Sequence, residues 1–188
     1  VANGSPIGDS APVLIALNAT LVLRHGKTQR RLPLEAFYLD YMKNALQPGE
    51  FVEAIELPPP AHTALRAYKL SKRFDCDISA LAAGLAITLD GDTVCEARFA
   101  FGGMAATVKR AAQAEAVVRG RPWNEATVDS AIAALAGDFT PLTDLRASAA
   151  YRQRAAGNLL RRFWLETRAE APLPAAQATV WAREEALP

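Results

Sequence analysis

The sequence is poor in the residues that usually announce chemistry. Only two cysteines occur in 188 residues, Cys76 and Cys95, and no CxxC pairs them. That argues against a disulfide framework and makes a reducing cytoplasm the expected setting. The two histidines, His25 and His62, stand far apart with no HExxH, so a protein-bound metal site is not expected. Charge of either sign is not in excess: the formal net charge is +1, which points to neither nucleic acid nor an anionic membrane. No apolar run reaches the length of a membrane span. The opening VANGSPIGDSAP has no basic start, no long apolar core and no initiator Met. It is not a signal peptide, and the chain reads as though it begins inside a domain. Aromatics are sparse too, at 7%.

What is present is apolar and alanine-rich. Hydrophobic residues make up 51% of the chain, enough for a sizeable core, and the alanines suit helices packed closely at small residues. After a loop over residues 1–10, Asp9 or Ser10 is placed to cap a helix with Pro12 in its first turn. TLVLR (20–24), turned by His25-Gly26-Lys27 and answered by TQRRLPL (28–34), predicts a hairpin. A short helical turn at 34–38 and a strand over FVEAIEL (51–57) follow. Pro58-Pro59-Pro60 can continue neither helix nor central strand, so a boundary is placed there. Beyond it, 64–73, 78–89 and 93–103 read as three strands, the last two joined at Asp90-Gly91. Helices are expected over 111–120, 124–137 and 144–168, with Leu145, Ala149, Ala156, Leu160 and Phe163 on one face of the last and Arg152 mostly elsewhere. The class is α+β, with residues 1–60 and 61–170 as two domains and 171–188 as a peripheral tail.

Three stretches are candidates for chemistry. FDCDISA (74–80) sets Asp75 and Asp77 around Cys76. Two carboxylates make a poor metal site, and flanking acids raise a thiol's pKa instead of activating it. Lys72 and Arg73 are close enough to neutralise them, so the plainer reading is a salt-bridged loop ahead of a buried strand. NGSPIGD (3–9) lets a backbone approach a ligand closely, with Asp9 able to accept from sugar-like hydroxyls; an ordinary capped loop is the alternative. FGGM (101–104) lacks the further glycines and the lysine of a phosphate cradle.

Taken together and in this order, NGSPIGDSAPVLIALNA, YKLSKRFDCDISALAA, FAFGGMAATVKRA and DLRASAAYRQRAAGNLLRRF resemble the FAD-binding subunit of bacterial xanthine dehydrogenases, within the molybdenum hydroxylases. The resemblance implies part of a vanillyl-alcohol-oxidase-type FAD lobe, followed by a three-stranded antiparallel sheet with a helical bundle. It implies FAD shared with a first lobe that would precede Val1, and iron–sulfur clusters and a molybdenum cofactor elsewhere in a hetero-oligomer, on iron–sulfur domains and a molybdenum-binding subunit. Purine would be hydroxylated and electrons passed through FAD to NAD. By motif, Asp9 matches an acid that binds the FAD sugar chain, and Asn3 lies in the same loop where threonine is frequent. Val52 matches an aliphatic residue packed on the flavin ring, and Lys69 a lysine that contacts FAD. Asp77 and Ile78 fall near the flavin edge where nicotinamide would approach. The family's run of acids is replaced here by Phe74-Asp75-Cys76-Asp77.

Overall fold

The computed structural model describes residues 1–61, 63–73, 75 and 77–178. Helix α1 (Ser10–Ala16) has Pro12 in its first turn, where a missing N–H costs nothing. Strands β1 (Thr20–His25) and β2 (Thr28–Pro33) form the expected hairpin, turned at Gly26. Helix α2 (Leu34–Phe37) and the short strands β3 (Tyr38–Asp40) and β4 (Lys43–Asn44) lead on to β5 (Phe51–Glu56). Strand β5 pairs antiparallel with the other edge of β1, giving a sheet ordered β2-β1-β5. Ile15, Leu21, Leu23, Leu34 and Phe37 close a core around it.

The second sheet corrects the expectation of three strands. It contains β6 (Ala64–Leu70), β7 (Leu81–Asp90), β8 (Thr93–Gly102) and a fourth, β9 (Lys109–Arg110), in that order and antiparallel throughout. The fourth is only two residues long, set opposite Ala100 and Phe101, and so carries no alternation for a sequence reading to detect. Helices α3 (Ala112–Val118), α4 (Glu125–Asp138) and α5 (Ala149–Thr167) follow, with a last short turn, α6 (Ala175–Ala178). Two caps are as the sequence chemistry dictates: Asn124 accepts from the Thr127 N–H, and Ser148 from that of Tyr151. The long helix begins later than expected. Asp144 folds residues 144–147 into a turn by accepting from the N–H groups of Arg146 and Ala147, which leaves Leu145 exposed, outside the helix and off its core face.

The period-two alternation of the second sheet decides what lies on each side. Leu81, Ala83, Leu85 and Ile87 of β7, with Ala97, Phe99 and Phe101 of β8, pack against α3, α4 and α5. The opposite face of β7 carries Ala82, Gly84 and Ala86, and α1 lies across it. A Cβ on Gly84 would sit 2.4 Å from the Pro12 carbonyl oxygen, so the absent side chain is what lets α1 approach. The same alternation turns Tyr68 of β6 toward the helices, where its hydroxyl donates to Glu166 at 2.9 Å, and turns Lys69 toward α1.

Candidate functional site

Asp9 stands just before α1, and its carboxylate does not cap the helix as expected. It is held from the second sheet instead. The Lys69 ammonium donates to one carboxylate oxygen at 2.7 Å, and the Ser79 hydroxyl donates to the other. Ser79 is 1% exposed, whereas the Lys69 and Asp9 side chains are 44% and 43% exposed. The carboxylate is thus anchored from below and open above. It keeps acceptor lone pairs for hydroxyl groups, and Lys69 brings a three-donor ammonium beside it. That donor set fits the polyhydroxy chain and polar ring edge of a flavin. Ser79 went unnoticed in the sequence, although its place next to Ile78 in the DIS stretch was a signal available there.

The remaining candidates are not all gathered at this point. The Asn3 side chain accepts from the Ser5 N–H at 3.2 Å and shapes its own loop. Val52 pairs with Leu23 across β5 and β1 and packs on the rim of the first core. The Asp77 carboxylate accepts from the N–H groups of Arg73 (2.8 Å) and Ile78 (2.9 Å), with the Arg73 guanidinium at 3.4 Å. These bonds, the backbone N–H of Arg73 foremost, hold its pKa below the usual carboxylate value. Asp77 therefore builds a turn, and the turn presents Ile78 outward at 52% exposure. Lys72, expected to neutralise the acids, donates to the Leu145 carbonyl at 2.6 Å. Phe74 and Cys76 lie outside the described residues.

Two cavities are lined in part by residues close to Asp9 and Ser79 in the chain. One of about 510 Å³ lies between Ser5, Ile7, Tyr41, Gly103, Leu142 and Arg146. The other, of about 290 Å³, is lined by Lys72, Arg73, Asp77, Ile78, Leu145 and Arg146. Arg152 borders the first but belongs to the interior. At 3% exposure it donates to the carbonyls of Ala80 (2.5 Å) and Gly103 (2.7 Å) and to the Asp144 carboxylate (2.7 Å). This reverses the outward placement expected for Arg152; its helical spacing to Ala156 and Phe163 puts it on the core face. Gly103, at φ +82°, serves that contact, since a Cβ there would press on Ala80.

Residues 66–167 match the family model for the CO dehydrogenase flavoprotein C-terminal domain, and residues 1–60 that for the FAD binding domain in molybdopterin dehydrogenase. The chain belongs to the FAD-binding flavoproteins of the molybdopterin dehydrogenases. It is 34% identical over 169 residues to xanthine dehydrogenase from Emericella nidulans, covering 87% of this chain and 12% of that protein. It is 30% identical over 161 residues to the carbon monoxide dehydrogenase medium chain of Afipia carboxidovorans, covering 86% and 56%. The carbon monoxide dehydrogenase structure from Hydrogenophaga pseudoflava superimposes with a TM-score of 0.80 at 29% identity, covering 86% of this chain and 56% of that one. The chain thus spans about half the length of the medium chains it matches and far less of the fungal dehydrogenase. These relatives are oxidoreductases with FAD-binding domains. The mixed helix-and-sheet architecture with antiparallel sheets described above is similar to that of the carbon monoxide dehydrogenase structure. Among the described residues no helix is long and apolar enough to cross a membrane.

Proposed function

We propose that this chain is the FAD-holding and acceptor-facing part of a xanthine dehydrogenase-like molybdenum hydroxylase, working in the cytoplasm within a hetero-oligomer. The observation that carries the reading is the half-exposed Asp9–Lys69 pair on buried Ser79. It joins the segment matching the FAD-binding model to the one matching the flavoprotein C-terminal model. Asp9 would accept from the sugar-chain hydroxyls, Lys69 would contact the flavin beside it, Val52 would pack on the ring, and Asn3 would shape the loop that carries Asp9. Polypeptide beyond this chain would complete the FAD site. When bound, FAD would supply two-electron transfer between the iron–sulfur and molybdenum centres of partner subunits and NAD. The turn built by Asp77 would shape the side where nicotinamide arrives. The 34% identity to a xanthine dehydrogenase supports the purine branch.

A second reading has its own support. The model matching residues 66–167 is that of a CO dehydrogenase flavoprotein, and a glyceraldehyde dehydrogenase medium chain from Sulfolobus acidocaldarius is 29% identical over 153 residues. A carbon monoxide- or aldehyde-oxidising enzyme would use the same flavin site. Assaying the native complex with xanthine, carbon monoxide and aldehydes decides between the two. Xanthine-dependent NAD reduction is expected; turnover of carbon monoxide or aldehyde alone overturns the purine reading. The flavin reading is tested separately by Asp9→Asn in the complete enzyme, which should lower bound FAD per protein. Full flavin content would contradict it.

A further inference from the structure

The two cavities share one side chain, Arg146. The smaller is walled by Ile78, an exposed aliphatic surface, and the larger by Ile7, Leu142 and the exposed ring of Tyr41. Each offers an apolar wall against which a flat group can lie. The cations outnumber the acids on both sides. Lys72, Arg73 and Arg146 face Asp77 in one cavity; Arg146 and Arg152 face Asp144 in the other.

Of these cations Arg146 is the one placed to serve a ligand in both cavities. Arg152 is committed to two carbonyls and to Asp144. Lys72 holds the Leu145 carbonyl, and Arg73 holds Asp77. Arg146 makes a longer contact, 3.3 Å from one Nη to Asp144, and its side chain is 29% exposed. Asp144 is meanwhile taken up at 2.7 Å by Arg152. A guanidinium so placed has N–H pairs left over, in a fork that matches phosphate oxygens.

We propose that Arg146 binds the anionic linker of a dinucleotide acceptor whose two flat ends occupy the two cavities, which makes it a residue that sets acceptor affinity. The inference deepens the reading of NAD as acceptor and rests on it. In the complete enzyme, Arg146→Ala should raise KM for NAD about tenfold or more while kcat changes little, the loss expected for a charge-assisted bond to phosphate. Arg146→Lys should recover part of it. Reduction of a neutral dye and FAD content should match wild type. An unchanged KM for NAD in Arg146→Ala overturns the proposal. So does loss of FAD in step with the loss of NAD affinity, which would assign the cavity to the flavin or to neighbouring polypeptide. Titration with ADP-ribose separates the two levels. Equal binding by wild type and variant sinks the role of Arg146. No binding by wild type, with no NAD reduction, sinks the acceptor reading beneath it.

Discussion

Helix α1 is held at both ends by charge, and the two ends differ in kind. At its C-terminal end Arg98, 7% exposed, donates twice to the Ile15 carbonyl, at 3.1 and 2.8 Å, and pairs with Glu35 at 3.3 Å. Arg110 extends this seam to Glu115, which also accepts from the Phe99 N–H at 2.7 Å. Burial raises the pKa of Glu115 despite these bonds, a sign of how far it sits from water. At the N-terminal end Asp9 and Lys69 are both more than two-fifths exposed. A buried network satisfied within the chain fastens the fold. A pair anchored from below and open above can serve something outside it. Burial, more than the presence of a salt bridge, is what distinguishes the two ends.

The largest effect should come from breaking the buried end. Glu115→Ala leaves the Arg110 guanidinium and the Phe99 N–H without their partner and should cost about 3 to 5 kcal/mol. Urea denaturation of the complete enzyme's flavoprotein checks it, and a loss below 1 kcal/mol would remove the seam from the structural class. Next comes the middle of α1. Gly84→Val puts a side chain where Pro12 backbone lies and should cost roughly 1 to 3 kcal/mol by displacing the helix. Because Asp9 leads directly into α1, flavin retention should fall with it.

A smaller effect concerns Asp144. Burial pushes its pKa up, but the N–H groups of Arg146 and Ala147 and the Arg152 guanidinium more than offset this and hold it at about 2. A carboxylate depressed in the fold contributes stability that is present above its unfolded pKa, near 4, and is lost as pH falls toward about 2. Wild type should therefore lose stability between those values more steeply than Asp144→Asn, as thermal melts across that range would show. Smaller still is Asp77→Asn. It weakens a turn at the rim and should slow NAD reduction more than dye reduction; equal slowing of both would count against its place at the acceptor side.

The same contrast explains what could be read from the chain. The hairpin, the end of strand β5 ahead of Pro58 and the turn at Asp90-Gly91 were legible because each depends on local backbone chemistry. Asp9 could be singled out from its loop chemistry, but its pairing with Lys69 could not, since sixty residues separate them and they meet because α1 lies across the second sheet. The two-residue strand β9 carried too short a pattern to be seen. Arg152 was misplaced because charge argued outward, while its helical position and three interior acceptors held it inward. Ser79 was hidden as a small polar residue in a run of small apolar ones. Its role depends on Asp9 arriving from another part of the chain.

The exposed end of α1 carries the central claim, and Lys69→Ala in the complete enzyme tests it. The pair is open to solvent, so stability should change by no more than about 1 kcal/mol. The ratio of FAD to protein after gel filtration should nevertheless fall well below that of wild type. A full complement of FAD on a normally stable Lys69→Ala enzyme would contradict the account.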